Sequence, residues 1–269
     1  MAYFKGSWLF YSPLLSIFSG RECLVEVRNS LSDELLFKVK LDPRDPSQLY
    51  MIMNNRFDLG TAMTIWSLLE KGDTFIDVGA NFGYLSYIGA AKVGEEGRVV
   101  AIEPNPTALK LLKEIPQKNL QIIGKVAGRN STDRFIMHQP FYRQTTSSQF
   151  EPDPAGEMES MRLDDIYATL QKKSIKLIKI DTEGAEIFVL EGAEQILREE
   201  HPLVIAEIFG HSKHFGYQSL AIYDYMKKFG YDHFYTISDD TNSVTLLAEP
   251  TEGQILFSVG PIDESKFQI

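Results

Sequence analysis

Thr74-Phe-Ile-Asp-Val-Gly-Ala-Asn-Phe-Gly-Tyr-Leu-Ser86 decides the fold of this chain. An apolar run from Thr74 to Val78 carries Asp77 near its end and stops at Gly79, and a helical pattern then starts near Phe82 and continues to about Val93. This reads as a buried strand, a tight glycine turn and a helix N-terminus, an arrangement that presents backbone N–H groups to a ligand. A second acidic element, Val99-Val-Ala-Ile-Glu-Pro-Asn-Pro106, follows about twenty residues downstream, the offset at which an open α/β sheet places the acid that grips a ribose. Together the two elements predict a ligand that contains a nucleoside.

Working outward, strand-like and helical patterns alternate from Asp73 onward, which argues for βαβ units and an α/β fold with a mostly parallel sheet. Strands are predicted at 74–78, 98–102, 120–123, 176–180, 203–208, 233–237 and 254–259, and helices at 84–93, 107–114, 163–170, 185–199 and 219–229. Between Arg129 and Met161 the alternation lapses; Phe135-Ile-Met-His138 adds a strand there, and Tyr142 to Pro154 reads as an inserted loop of the kind that faces substrate. Residues 1–60 form a separate N-terminal extension, a lid or an interface, with strand-like Leu24-Val-Glu-Val27 and Leu35-Leu-Phe-Lys-Val-Lys-Leu41, and 61–269 the main domain. Asp42-Pro-Arg-Asp-Pro46 is expected to break regular structure. Thr61 to Glu70 reads as a helix that buries Ala62, Ile65, Trp66 and Leu69.

Composition narrows the classes. The chain has 269 residues, 43% hydrophobic and 24% charged, enough to bury a sizeable core. A net charge of −10 argues against a nucleic-acid partner, which requires a basic surface. The single Cys23 cannot close an internal disulfide, which fits a reducing cytoplasm. The aromatic stretch from Tyr3 to Phe18 is too short and too interrupted to span a bilayer and makes a poor signal peptide. It is expected to pack as core or interface, and an exposed aromatic N-terminus would favour a homodimer.

Three acidic strand ends fall in order: Asp77 before Gly79, then Glu103, then Asp181 with Glu183. A parallel sheet brings all of them to one edge, where ligands bind. Gly79-Ala-Asn-Phe-Gly83 lacks the third glycine of a dinucleotide fingerprint, and no Gly-Lys-Ser/Thr follows to cradle phosphates. A ligand with a ribose, an adenine and no phosphate suits the turn better.

These motifs resemble those of the FkbM-type methyltransferases, a branch of the S-adenosylmethionine-dependent class I superfamily. The resemblance is carried by Phe75 to Ser86, Ala101-Ile-Glu-Pro-Asn-Pro106 and Leu177-Ile-Lys-Ile-Asp-Thr-Glu-Gly-Ala-Glu186. Met161-Arg-Leu-Asp-Asp-Ile166 resembles the family segment before the fourth strand, and Pro202-Leu-Val-Ile-Ala-Glu-Ile208 the fifth strand. The resemblance covers roughly 72–208 and departs at Val126-Ala-Gly-Arg129 and in the helix after Glu103. It implies a Rossmann-like twisted sheet with helices on both faces and S-adenosylmethionine as methyl donor, released as S-adenosylhomocysteine. It further implies that Asp77, Gly79, Asn81 and Gly83 surround the methionyl part and ribose, that Glu103 holds the ribose hydroxyls, and that Asn105 flanks the adenine. Asp181 and Glu183 then sit near the transferring methyl.

Methyl transfer from a sulfonium is an in-line displacement that demands proximity and, for an alcohol acceptor, a base. Candidates are Asp181, Glu183, Glu207, His211 and His214. Oxygen ligands among them suit magnesium, but nothing in the spacing demands a metal. Glu186 and Glu191 read as solvated helix residues, Arg143 as a solvated loop residue, and Asp164 and Asp165 as caps of their own helix. Lys179, inside a buried strand, is expected to reach an edge carboxylate or to snorkel. The reading that results is O-methylation of a hydroxyl or carboxyl on a small-molecule, sugar or peptide-derived acceptor. An NAD(P)-dependent oxidoreductase and a non-catalytic S-adenosylmethionine-binding protein are the competing classes.

Overall fold

The computed structural model describes residues 22–28, 34–54, 57–138, 149–170, 174–238, 241 and 243–267. A hairpin of β1 (Cys23–Arg28) and β2 (Leu35–Leu41) leads into helices α1 (Pro46–Asn54) and α2 (Leu59–Leu68). The alternating part follows as β3 (Thr74–Val78), α3 (Tyr84–Val93), β4 (Arg98–Ile102), α4 (Pro106–Leu112) and β5 (Leu120–Ile123). Four short strands come next: β6 (Val126–Ala127), β7 (Arg134–His138), β8 (Gln149–Pro152) and β9 (Met158–Met161). The chain then runs through α5 (Leu163–Thr169), β10 (Ile175–Ile180), α6 (Glu186–Glu191), α7 (Glu194–Glu199), β11 (Leu203–Ile208), a 3-10 turn (Gly210–Phe215) and α8 (Ala221–Lys227). It closes with β12 (His233–Ile237), β13 (Val244–Leu246) and β14 (Gly253–Ser258).

The large sheet has the order β13-β12-β14-β11-β10-β3-β4-β5. Strands β11, β10, β3, β4 and β5 are parallel, and β14 is inserted antiparallel between β11 and β12. Strand order reverses between β3 and β10, because β4 and β5 build outward on one side and β11 on the other. That switch point opens a crevice at the carboxyl ends of the central strands.

Period-two alternation divides the central strands cleanly. Phe75, Leu177, Ile205 and Leu256 pack on one face with Ala62 and Ile65 of α2 and Leu85 and Ile88 of α3. Ile76, Ile178, Val204 and Phe257 pack on the other with Leu163 of α5, Leu190 of α6, Leu197 of α7 and Ile222 of α8. Helices therefore cover both faces, and the central strands read as near-continuous apolar runs. The same alternation puts Asp77, Lys179, Glu207 and Gln254 on the α2 face.

Several local expectations change. Asp42 to Asp45 break regular structure between β2 and α1 as expected, but Pro46 takes the first helical position of α1, and Asp45 Oδ1 accepts from Ser47 N and Gln48 N at 2.9 and 3.2 Å. The helix expected over 185–199 is two helices, broken at Gly192, whose backbone lies against that of Gly128. In α2, Ala62, Ile65 and Leu69 are buried as expected, but Trp66 is half-exposed and lies under the Lys92 ammonium at 5.0 Å. The expected irregular stretch holds β7 as read, yet β6, β7, β8 and β9 form a four-stranded sheet. The aromatic stretch from Tyr3 to Phe18 and the loop residue Arg143 lie outside the described residues. Among the described residues, no helix is long and apolar enough to cross a membrane.

Ile65 of α2 is fully buried in the same cluster as Phe75 and Leu177 of the sheet. Ile65→Ala is expected to destabilise the protein by roughly 2–5 kcal/mol in one cooperative urea transition. A separate early transition would show that the N-terminal segment folds independently of the sheet.

Candidate active site

The turn after β3 is built by the neighbouring strands. Gly79 has φ +76°, and a Cβ there would come within 1.8 Å of the Asp181 carbonyl oxygen, so only glycine fits. The N–H groups of Gly79 and Ala80 both donate to the Ile102 carbonyl, at 2.9 and 3.1 Å, and Gly83 N–H donates to Ala80 O at 2.9 Å. The expectation that these amides face a ligand is thus corrected: the end of β4 supplies a carbonyl that consumes them. Asn81, in the left-handed region at φ 50°, donates its N–H to Glu103 Oε2 at 2.8 Å, and its side-chain oxygen is buried with no hydrogen-bond partner among the described residues.

Glu103 follows β4 and is 6% exposed. Its Oε1 accepts from Asn105 N at 2.7 Å, so each carboxyl oxygen holds one backbone N–H and keeps a further lone pair. Burial pushes this carboxyl up to about 7, against the pull of those two donors. Asn105 Oδ1 caps α4, accepting from Thr107 N at 2.9 Å and Ala108 N at 3.4 Å, which fixes the backbone that orients Glu103. A buried acid with two free lone pairs beside an unpartnered amide oxygen suits a vicinal diol. S-adenosylmethionine carries one on its ribose, and the residues present fit it.

The second centre lies one strand over. Register pairs Lys179 of β10 with Asp77 of β3 on one side and Ile205 of β11 on the other. Lys179 is 3% exposed; its Nζ donates to Asp181 Oδ2 at 3.2 Å and stands 3.9 Å from Asp77 Oδ1. Burial opposes the ammonium, but Asp181 and Asp77 outweigh it and keep Lys179 charged. Asp77 is fully buried, and Ser86 Oγ donates to its Oδ2 at 2.5 Å; burial raises its carboxyl, and Lys179 and Ser86 limit the rise.

Asp181 and Glu207 form a hydrogen-bonded carboxyl pair. For Asp181, burial opposes ionisation, but Lys179 and the bond with Glu207 win and hold it below the usual carboxylate range. For Glu207, burial and the neighbouring Asp181 charge push the carboxyl well above the usual range. Gln254 of β14 lies directly opposite Glu207 in register, and its side-chain oxygen is buried without a hydrogen-bond partner among the described residues. Asp58, the left-handed residue that precedes α2, faces Lys179 and Asp181, and burial raises its carboxyl. Three of the non-glycine residues with positive φ, Asp58, Asn81 and Glu183, therefore sit at this edge, where backbone strain is typically functional.

The turn that holds Asp181 and Glu183 is stapled from below. Glu186 is 4% exposed, and its Oε1 accepts from Thr182 N, Thr182 Oγ1 and Gly184 N at 3.0, 3.1 and 3.0 Å. The reading of Glu186 as solvated is corrected: its carboxylate replaces the backbone partners that this left-handed turn cannot make. Glu191 is half-buried and pairs with Arg129 at 3.1 Å. Tyr217, after the 3-10 turn, donates its hydroxyl to the Gly184 carbonyl. Asp164 does not cap its own helix; its carboxylate accepts from Gln195 N and Ile196 N, both at 3.2 Å, at the start of α7.

The structure thus brings together Asp77, Asn81, Glu103, Asp181 and Glu207, with Gly79, Gly83 and Asn105 shaping the backbone around them. The side chains of His211 and His214 lie outside the described residues. Among the described residues, no three His, Cys, Asp or Glu side chains are grouped to hold a metal ion. Sequence reasoning overlooked Asp58 and Gln254. The first precedes a helical pattern as a cap-type residue; the second falls two before Leu256 on the inward face of the last strand.

A five-stranded parallel core with a reversed strand inserted near one edge, and acids at successive strand ends, defines a class I methyltransferase fold. The family described as Methyltransferase FkbM domain matches residues 77–232, more than half of the chain. The chain belongs to this family. Ribosomal RNA large subunit methyltransferase E of Methanothermobacter thermautotrophicus is 30% identical over 125 residues, 42% of this chain and 57% of that protein, so the chain spans little more than half of that relative's length. Among solved structures, the methyltransferase FkbM from Methylobacillus flagellatus is 20% identical with a TM-score of 0.45, over 71% of this chain and 44% of that one. Aeropyrum pernix fibrillarin, in complex with natively bound S-adenosyl-L-methionine, is 14% identical with a TM-score of 0.41, over 73% and 72%.

Removing the Glu186 staple leaves buried donors unpaired. Glu186→Ala is expected to lower stability by about 1–3 kcal/mol in urea unfolding, whereas an unchanged midpoint would mean that the turn holds itself.

Proposed function

We propose that this protein transfers a methyl group from S-adenosylmethionine to a hydroxyl oxygen of a small, uncharged polar acceptor. The observation that carries the reading is Asp181, 3.2 Å from the Lys179 ammonium and paired with Glu207, at the switch-point crevice beside the diol-suited Glu103. Asp77, Gly79, Asn81, Gly83, Glu103 and Asn105 form the cofactor side. Asp181, Glu183 and Glu207 form the acceptor side.

The cofactor supplies an electrophilic methyl on a sulfonium. Everything else falls to the chain. Asp181 accepts a hydrogen bond from the acceptor hydroxyl, orients its oxygen and takes its proton as the oxygen is alkylated. Glu207, holding its own proton, donates to Asp181 and keeps the pair from carrying two negative charges. Glu103 accepts from the two ribose hydroxyls, a charge-assisted pair that fixes the sugar.

Charge selects among acceptors. Asp58, Asp77, Asp181 and Glu183 surround the crevice with Lys179 as the buried cation beneath it, and this field repels a carboxylate or a phosphate backbone. A neutral hydroxyl acceptor meets no such penalty. A nucleic-acid substrate, which the name of the matching relative would suggest, also conflicts with the net charge of −10.

Two measurements test this. Glu103→Ala should weaken S-adenosylhomocysteine binding at least roughly tenfold by calorimetry, the loss of about 1.5–3 kcal/mol for a hydrogen bond to a charged group. Absence of binding in the unmutated protein would falsify the cofactor assignment. Because Glu103 is held protonated up to about 7 in the ligand-free protein, affinity should also rise roughly tenfold from about pH 6 to about pH 8, and Glu103→Gln should flatten that slope. With tritiated donor, label should enter alcohols in preference to their carboxylic analogues or RNA; the reverse order would overturn the acceptor class.

A further inference from the structure

We propose that Lys179 is a positioning residue: buried between Asp77 and Asp181, its ammonium makes Asp181, and not Glu207, the carboxylate that receives the acceptor's proton. The inference deepens the methyl-transfer reading and rests on it.

The geometry allows Lys179 little choice. Its Cα is fixed in the middle of the sheet, its side chain points to the α2 face, and it is 3% exposed. The acids that face it come from every neighbouring element: Asp77 from β3, Asp181 beyond β10, Glu207 from β11, Asp58 at the start of α2 and Glu103 beyond β4, while Glu183 faces Glu207 from the turn. Only Asp181 and Asp77 come within ion-pair distance, at 3.2 and 3.9 Å. Asp77 is locked by Ser86 and fully buried, which leaves Asp181, about one-third exposed, as the reachable carboxylate.

Two carboxyls that share a hydrogen bond hold one proton between them, and a nearby cation decides which one stays ionised. Lys179 touches Asp181 and not Glu207. The proton therefore resides on Glu207, whose O–H points its bond at Asp181. When the acceptor's O–H bond breaks, its proton passes to Asp181, its electron pair forms the new C–O bond, and the electrons of the C–S bond return to sulfur. Without the ammonium the proton would sit on either carboxyl, and the reactive oxygen would often meet a protonated Asp181 that cannot take its proton.

The test reads protonation directly and needs no acceptor. Protein labelled with carbon-13 at the Asp and Glu carboxyls is titrated by NMR, with Asp181→Asn and Glu207→Gln assigning the two resonances. In the unmutated protein Asp181 should stay ionised below the usual aspartate range while Glu207 titrates well above the usual glutamate range. Lys179→Gln should raise the Asp181 midpoint by at least about one pH unit, and Lys179→Arg should restore it. The proposal fails if Glu207 titrates as an ordinary glutamate in the unmutated protein, or if the Asp181 midpoint ignores Lys179→Gln. Should Lys179→Gln alone not fold, the Asp77→Asn/Lys179→Gln double variant removes the stranded charge and gives the same comparison against Asp77→Asn. S-adenosylhomocysteine binding in the same samples keeps the two ideas separate: its absence sinks the methyl-transfer reading and leaves the titration standing.

Discussion

A lysine ammonium in the centre of a parallel sheet is the constraint around which this site is arranged. Moving such an ion out of water costs several kcal/mol, and only well-placed counter-charges offset that. Lys179 obtains them from two positions: the residue opposite on β3 and the residue just past the end of its own strand. Asp77 and Asp181 are therefore bound to Lys179 by energetics before any ligand is considered. Their placement at the carboxyl edge, where strand order reverses, turns that electrostatic need into a site.

Around this ion the protein keeps its acids in different states. Asp181 is held below the usual carboxylate range, Glu207 is pushed well above it, and Glu103 is pushed up to about 7 because it is buried with only two backbone donors. Environments that push neighbouring carboxyls apart are how one fold divides acid, base and binding roles. The linkage sign for Glu103 follows from its raised folded value. Keeping it protonated favours the ligand-free fold below the ordinary carboxylate range, and that contribution is lost as pH rises through about 7. Binding of a diol that prefers the ionised form draws on this same reserve.

Most of the fold was legible because the signals were local. Alternating apolar runs with breakers placed the central strands within a residue or so, and the acids at their ends marked the edge. What stayed hidden depends on partners distant in sequence. Glu186 looks like any first-turn glutamate until Thr182 and Gly184 fold over it, and Asp164 looks like a cap for its own helix although it caps α7, about thirty residues on. Asp58 reaches the site only because α2 packs on the face that carries Lys179. Asp42 to Asp45 break the chain as their composition suggests, while Pro46 opens α1 because a missing N–H breaks a helix interior but costs nothing at the first helical position.

The glycine turn shows why the ligand side is selective. Its first two amides are spent on the Ile102 carbonyl and the next on Glu103, so these three do not face a phosphate. At this turn Glu103 takes two backbone donors and offers a side-chain acceptor to the ligand. Such a surface favours hydroxyl groups and positive charge and penalises phosphate, and a sulfonium nucleoside has both of the favoured features.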